Sequence, residues 1–383
     1  MVELLEAGKL AVEELVGEMG KAALEAVLLI SAKQRGVGEF HINTEPDNDA
    51  AKALYASLGA EVVGVQMEID LAGWGGSKMR LVPFASDMAA GVAECYNDLI
   101  APVPECHPVP PDRFADLEGL ASQHLRDERL MVAQAEPGGV RGFVHVGIVA
   151  AGLDYRPPVG PGTIRFLAYH PGERPVGKLL LDWAEAWARE QECTVITAWN
   201  GSYPYPFYYF PDGAQLSEHI GHVRALFGMA GFQERGSELL LTWRDFVPPV
   251  PQPPAPECRL ELVWTDGPRL RVQAMRGPEE LGHCIMDRGQ ISPSPEADDW
   301  CFCLALHVSD PFRGQRLGSF LLATALEEMR RLGCRHTALS VSWRNHRAVL
   351  MYTNIGYRHA DRTCNFFKIL DESSELARAL RLA

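Results

Sequence analysis

The sequence predicts an α/β chain built from repeated units. Three observations predict it. An alternating strand at Trp300–Val308 runs into Arg313-Gly314-Gln315-Arg316-Leu317-Gly318-Ser319 and then into an amphipathic helix. A short helix ending at a glycine and followed by a β-rich segment recurs along the chain, the glycine supplying the left-handed helix cap. Runs of β-branched and aromatic residues separated by turn signals fill the space between.

The recurrence is an internal repeat. Asn48, Ala51, Tyr55 and Gly59 have the same spacing as Asn345, Ala348, Tyr352 and Gly356, and Val223 to Phe232 form a weaker third copy. The first unit, 1–72, holds a long helical stretch (Ala11 to Gln34), a strand at Gly38–Asn43, the Asn48–Leu58 helix and a strand at Val62–Ile69. No strand precedes its remnant of a turn, Gly17 to Lys21. Gly73 to Ser77 reads as a flexible connector.

The second unit, 79–246, has every element: a strand opening at Met79, helices at 87–100 and 112–125, and strands at 129–135, 140–150 and Thr163–Tyr169. That last strand leads to a turn, Pro171 to Lys178, and a Leu/Trp-striped helix. Residues 247–256, rich in proline, form a stiff linker and a domain boundary. The third unit, 257–371, opens with strands Arg259–Trp264, Arg269–Met275 and Leu281–Asp287, without a counterpart of the two early helices.

Composition bounds the function. The 383 residues are 47% hydrophobic and 22% charged, as in an ordinary globular protein. No apolar run is long enough for a membrane helix, and the opening residues lack the basic flank and cleavage site of a secretory leader. Nine scattered cysteines point to reduced thiols in a cytoplasmic setting rather than a disulfide framework. A net charge of −14 argues against nucleic-acid partners. One basic patch, Arg313 to Arg316 with Arg330, Arg331 and Arg335, survives that balance.

The strand–turn–helix at 300–331 is an anion cradle, because turn amides and the unpaired N–H groups of a helix N-terminus face one point. Taken with Asn345-x-x-Ala348-x-x-x-Tyr352-x-x-x-Gly356-Tyr357, it resembles the GNAT acetyltransferase superfamily. The resemblance implies tandem GNAT-like units, each a mixed, mostly antiparallel sheet flanked by helices, with the first unit matching the second half of that fold. It implies acetyl-CoA as co-substrate, an amine of a small molecule or peptide as acceptor, and no metal.

By that resemblance the cofactor lies along Leu306, His307 and Val308, the turn Arg313, Gly314, Gln315, Arg316, Leu317, Gly318 and Ser319, and Asn345 and Tyr352. Arg316 departs from the family pattern, which has glycine there; arginine fits if its φ is ordinary and its side chain points outward. Tyr352 aligns with the family's general acid, which protonates the departing thiolate. Asp299, His283 and His307 are candidates for the base. Cys301, Cys303 and His307 share one face of an alternating strand but lack a fourth ligand at useful spacing for zinc.

The second unit has Pro175 where a phosphate-binding glycine is expected and Phe227 at the tyrosine position. Tyr203 to Pro211 is either an aromatic substrate wall or a cover for the core. By elimination catalysis is expected in the third unit. The rival expectation is a non-catalytic acyl-CoA sensor whose degenerate units bind a partner.

Overall fold

Thirteen strands among the described residues form one sheet in the computed structural model of this chain. The structure describes residues 79–115, 120–135, 138–150, 161–203, 205, 207–208, 215–265, 267–289, 297–374 and 376–378. The chain divides into units Met1–Glu68 and Ile69–Ala383, and all described residues lie in the second. The elements expected in 1–72 and the connector at Gly73 to Ser77 lie outside the described residues. Among the described residues, no helix is long and apolar enough to cross a membrane.

The middle segment runs β1 (Met79–Pro83), α1 (Ala89–Ile100), α2 (Asp112–Ala115), β2 (Leu125–Ala135), β3 (Gly139–Val149), β4 (Gly162–Tyr169), α3 (Arg174–Glu190), β5 (Val195–Ala198), the two-residue β6 (Leu216–Ser217), α4 (Gly221–Met229) and β7 (Gln233–Trp243). The C-terminal segment runs β8 (Arg259–Trp264), β9 (Arg269–Arg276), β10 (Glu279–Arg288), β11 (Trp300–Val308), α5 (Leu317–Arg331), β12 (His336–Ser342), α6 (His346–Ile355) and β13 (Arg358–Ile369). The helix expected over 112–125 does not extend that far: residues 121–124 are not helical, and Leu125 already opens β2. Between β8 and β9 there is only a turn, closed by Thr265 N–H donating to the Arg269 carbonyl at 3.1 Å. Among the described residues of the C-terminal segment, no helix precedes β9.

The sheet order is β1-β2-β3-β4-β5-β13-β7-β12-β11-β10-β9-β8, with the short β6 paired to β13 off this path. Two pairs are parallel, β4 with β5 and β11 with β12, each bridged by a crossover helix; the rest are antiparallel. The centre is a reciprocal exchange. Strand β13, last of the C-terminal segment, pairs with β5 of the middle segment through Phe366–Ile369 against Ala198–Val195. Strand β7, last of the middle segment, pairs with β12 through Thr337↔Trp243 to Ser342↔Glu238. The two exchanged strands also pair with each other. Each segment thus completes the sheet of the other.

The two segments repeat the same local geometry. A Cβ on Gly142 in β3 would lie 2.6 Å from the Ala168 carbonyl, and one on Gly282 in β10 would lie 2.5 Å from the His307 carbonyl. Only glycine tolerates backbone at that range. Each glycine faces the last residue of the next strand, Tyr169 or Val308. In each segment one extra residue bulges out of the strand leading to the turn: Arg165 in β4 and Leu304 in β11.

Helix α5 forms because Leu321, Leu322, Ala325, Leu326 and Met329 fall on one side at helical spacing. That side is buried against Leu270, Val272, Ala274, Cys284 and Met286 of β9 and β10. Each such leucine contributes about 1.5–3 kcal/mol by leaving water. Gly333, φ 95°, then ends the helix.

Candidate active site

Both parallel pairs open into a fork. Strand β11 pairs with β12 from Trp300↔His336 to Cys303↔Leu339 and no further, yet continues to Val308. The bulge at Leu304 stands at the point of divergence, where right-handed twist and an extra residue turn the strand aside. Residues 304–308 keep β10 on one side and leave the side toward β12 unpaired. The turn and the N-terminus of α5 close one end of this opening.

Within the turn, Arg316 has φ 65°, the left-handed conformation that glycine favours. This corrects the expectation of an ordinary φ. The arginine side chain carries a backbone cost of about 1–2 kcal/mol and is exposed. The turn is braced from several sides. Arg313 Nε donates to the Val308 carbonyl at 3.1 Å and pairs with Asp310 at 2.8 Å. Gln315 Nε2 donates to the Pro311 carbonyl at 2.8 Å, and Ala255 of the proline-rich linker donates its N–H to the Gln315 carbonyl at 3.2 Å. The amides of Leu317, Gly318 and Ser319, in the first turn of α5, have no intrahelical acceptors. Gly318 sits between β11 and α6, its ideal Cβ position 3.6 Å from Val308 Cγ2 and from Met351 Sδ. Leu306 and Val308 pack toward this core, whereas His307 is exposed on the opposite face.

The basic patch expected around the turn does not assemble. Arg330 and Arg331 occupy the last turn of α5, about 20 Å from Arg316 at 1.5 Å per residue. Arg331 pairs with Glu327 and Glu328, and Arg335 pairs with Asp245. Asp299 is also misplaced as a base: it precedes β11, while the fork lies at the strand's other end, about 15 Å or more away at 3.3 Å per residue. Its neighbour there is Arg335, at 3.8 Å.

Asn345 caps α6, its Oδ1 accepting the Ala348 N–H at 3.2 Å. Tyr352 is buried in the C-terminal core, its ring centre 5.8 Å from that of Tyr357, whose hydroxyl lies 2.9 Å from Thr337 Oγ1. Burial, reinforced by the nearby Cys303 and Cys284 thiols, raises the Tyr352 pKa, so the phenol keeps its proton.

Cys301, Cys303 and His307 do not share a face. The bulge at Leu304 shifts the alternation by one, so Cys303 points with Met286 into the core and His307 points with His283 to the other side. Among the described residues, the only grouping of three metal-ligand types is Glu218, His219 and Asp361, elsewhere in the sheet.

His283 stands directly across from His307, ring centres 5.5 Å apart. Its Nδ1 lies 2.6 Å from Glu280 Oε1, and Arg271 Nη2 lies 2.9 Å from the same carboxylate. Strict alternation puts residues 280 and 283 on opposite faces; an extra residue at Leu281 brings them together. Glu280 and Arg271 were therefore missed in the sequence, where no local signal marks that irregularity.

In the middle segment the same place is filled. The Tyr169 ring lies against Gly177, so close that a Cβ there would be 2.5 Å from it, and the Tyr169 hydroxyl donates to the His222 carbonyl at 2.9 Å. Glu173 is the N-cap residue of α3, but its side chain makes no capping hydrogen bond, and its carboxylate pairs with Arg141. Pro175 removes one helix-end donor. Phe227 packs on Phe232 and Phe366. On the other face Tyr203, Tyr205, Phe207 and Tyr208 are buried with Tyr96, Phe114 and Phe166, so the described part of the aromatic loop is core. The bulged Arg165 lies within that core, donating to Glu128 at 3.0 Å and to the Tyr203 carbonyl at 2.9 Å.

A sequence model of the acetyltransferase (GNAT) family matches residues 239–357, which span the fork, the turn and the Tyr352 helix. The fold is similar to that of a tandem GNAT protein from the clavulanic acid biosynthesis pathway, with TM-score 0.55 and 16% identity over 77% of this chain and 100% of that one. Residues 239–357 thus match the GNAT family, and the fold of the described residues is that of tandem GNAT proteins. A GCN5-related N-acetyltransferase from Sphaerobacter thermophilus is similar at TM-score 0.54 and 14% identity, covering 78% of this chain and 98% of its own. A GCN5-related glucosamine N-acetyltransferase region of a fungal multi-domain β-N-acetylglucosaminidase gives TM-score 0.55 and 15% identity, covering 77% of this chain and 38% of that one. No curated protein matches in sequence. The match at 239 begins inside β7, the strand that the middle segment lends to the GNAT fold of the C-terminal segment.

Proposed function

We propose that the C-terminal segment transfers an acetyl group from acetyl-CoA to an amine. One contrast carries the reading. In the C-terminal fork a Cβ on Gly318 would come no nearer than 3.6 Å to Val308, beside residues 304–308 whose side toward β12 is unpaired, whereas in the middle fork the larger Tyr169 ring would lie 2.5 Å from a Cβ on Gly177. A pyrophosphate group fits the amides of 317–319, because the helix N-terminus supplies both donors and positive potential. The pantetheine arm would run along 304–308 as an additional strand edge, bringing the thioester toward Tyr352. The fixed fork positions the reactants, which supplies much of the rate. Tyr352, kept protonated by burial, donates to the departing thiolate, and His283 is the base. The acceptor is a small-molecule or peptide amine.

Calorimetry on the intact chain tests the assignment. One acetyl-CoA per chain is expected, with binding lost in Gly318→Glu, which puts bulk and negative charge against the phosphates. Two sites per chain, or full affinity in a folded Gly318→Glu protein, would overturn it. Binding without turnover across an amine panel would favour an acyl-CoA sensor instead.

A further inference from the structure

On the face of the sheet away from α5, the cluster Arg271, Glu280, His283 and His307 lies under the splayed part of β11. The Glu280 carboxyl is held below its ordinary range. Burial pushes it upward, but hydrogen bonds from His283 and Arg271 and their positive charges outweigh that. An ionised carboxylate can only accept hydrogen bonds. Its 2.6 Å contact with His283 Nδ1 therefore requires that nitrogen to carry the hydrogen. Arg271 Nη2 is also 3.0 Å from Nδ1, but it is satisfied by the two Glu280 oxygens at 2.9 and 3.0 Å. Nε2 is left with its lone pair. His283 faces His307, the one residue of Leu306–Val308 that points to this side, where an acceptor reaching the fork would arrive.

We infer that Glu280 is a positioning residue, which fixes His283 as its Nδ1–H tautomer and so presents Nε2 as the proton acceptor in acetyl transfer. The inference rests on the acetyl-transfer reading above. The acceptor is accordingly a basic amine that arrives as ammonium and gives one proton to Nε2 before attack. The nitrogen lone pair then forms the C–N bond, and the C–S bond breaks with its electron pair on sulfur. The intermediate's surplus nitrogen proton is lost as the thiolate takes one up from Tyr352, so the phenol is restored and the imidazolium returns its proton to water. Arg271, bound to both carboxylate oxygens, holds Glu280 against Nδ1.

Long-range proton–nitrogen NMR on the intact chain, labelled with ¹⁵N-histidine, reads the tautomer directly. The His283 signals are identified by their loss in His283→Gln. Nδ1 is expected to carry the hydrogen in the wild type, and the Nε2–H form to grow in Glu280→Gln. Acetylation of benzylamine, spermidine and a lysine peptide gives the second readout. Glu280→Gln should lower kcat by ~10²-fold with calorimetric acetyl-CoA affinity unchanged, and adding His283→Gln should cost little more. An Nε2–H tautomer in the wild type, or a fully active Glu280→Gln enzyme, would overturn the inference. Failure of the wild type to bind acetyl-CoA would instead overturn the acetyl-transfer reading beneath it.

Discussion

Replacing Gly356 by alanine probes the strand exchange and the site together. Gly356 ends α6 at φ 138°, outside the range of side-chain-bearing residues, at a cost of about 1–3 kcal/mol for alanine. The added Cβ would also lie 2.7–2.9 Å from three ring carbons of Trp243. An overpacked contact of this kind costs about 1–3 kcal/mol more. The sum, about 2–6 kcal/mol, is a large part of a typical folding free energy. Trp243 belongs to β7, more than a hundred residues earlier in the chain, and reaches Gly356 because β7 pairs with β12 and with β13, which begins just after Gly356. Trp243→Leu removes the ring, so it should relieve the steric part and leave the backbone part. Urea unfolding of the four proteins in the cycle should give a coupling of about 1–3 kcal/mol in the relieving direction. Additive losses would refute the argument, because they would mean that β7 does not lie beneath the end of the Tyr352 helix.

Tyr352→Phe keeps the ring and deletes the proton; kcat should fall ~10-fold or more with acetyl-CoA Kd nearly unchanged, and a fully active variant would leave the phenol a packing role only. The middle segment should give a pH signature. His145 is buried between Glu128, 3.2 Å from Nε2, and the Tyr205 hydroxyl, 3.0 Å from Nδ1. Burial lowers its pKa, only partly offset by the Glu128 hydrogen bond. The unfolded chain therefore binds the proton first, so stability is complete above the unfolded value near 6.5 and declines as pH falls below it. Urea midpoints between about pH 7.5 and 5 should fall in the wild type and fall less in His145→Gln; parallel slopes would remove the assignment to His145.

Much of the C-terminal site was legible because it is local. The strand Trp300–Val308, the turn, the Leu-striped helix and the Asn345-to-Gly356 motif each depend on residues close in sequence, although the capping role of Asn345 came only from the structure. The departures of the middle segment from the family pattern were legible for the same reason, at Pro175 and Phe227. Misplacements arose where one extra residue changes the alternation. The bulge at Leu304 separates His307 from Cys301 and Cys303, and the one at Leu281 joins Glu280 to His283. A bulge costs one ladder position and leaves no composition mark.

The sequence by itself therefore determined the strand, turn and helix at 300–331 and the helix that carries Tyr352, because period and caps act over a few residues. Only the tertiary structure decided which strands complete which sheet. Backbone hydrogen bonds along β5, β7, β12 and β13 are nearly indifferent to side-chain identity, so either pairing satisfies the donors and acceptors. What selects the exchanged pairing is packing across it, with Trp243 beneath Gly356 and Tyr357, and Phe366 against Phe227.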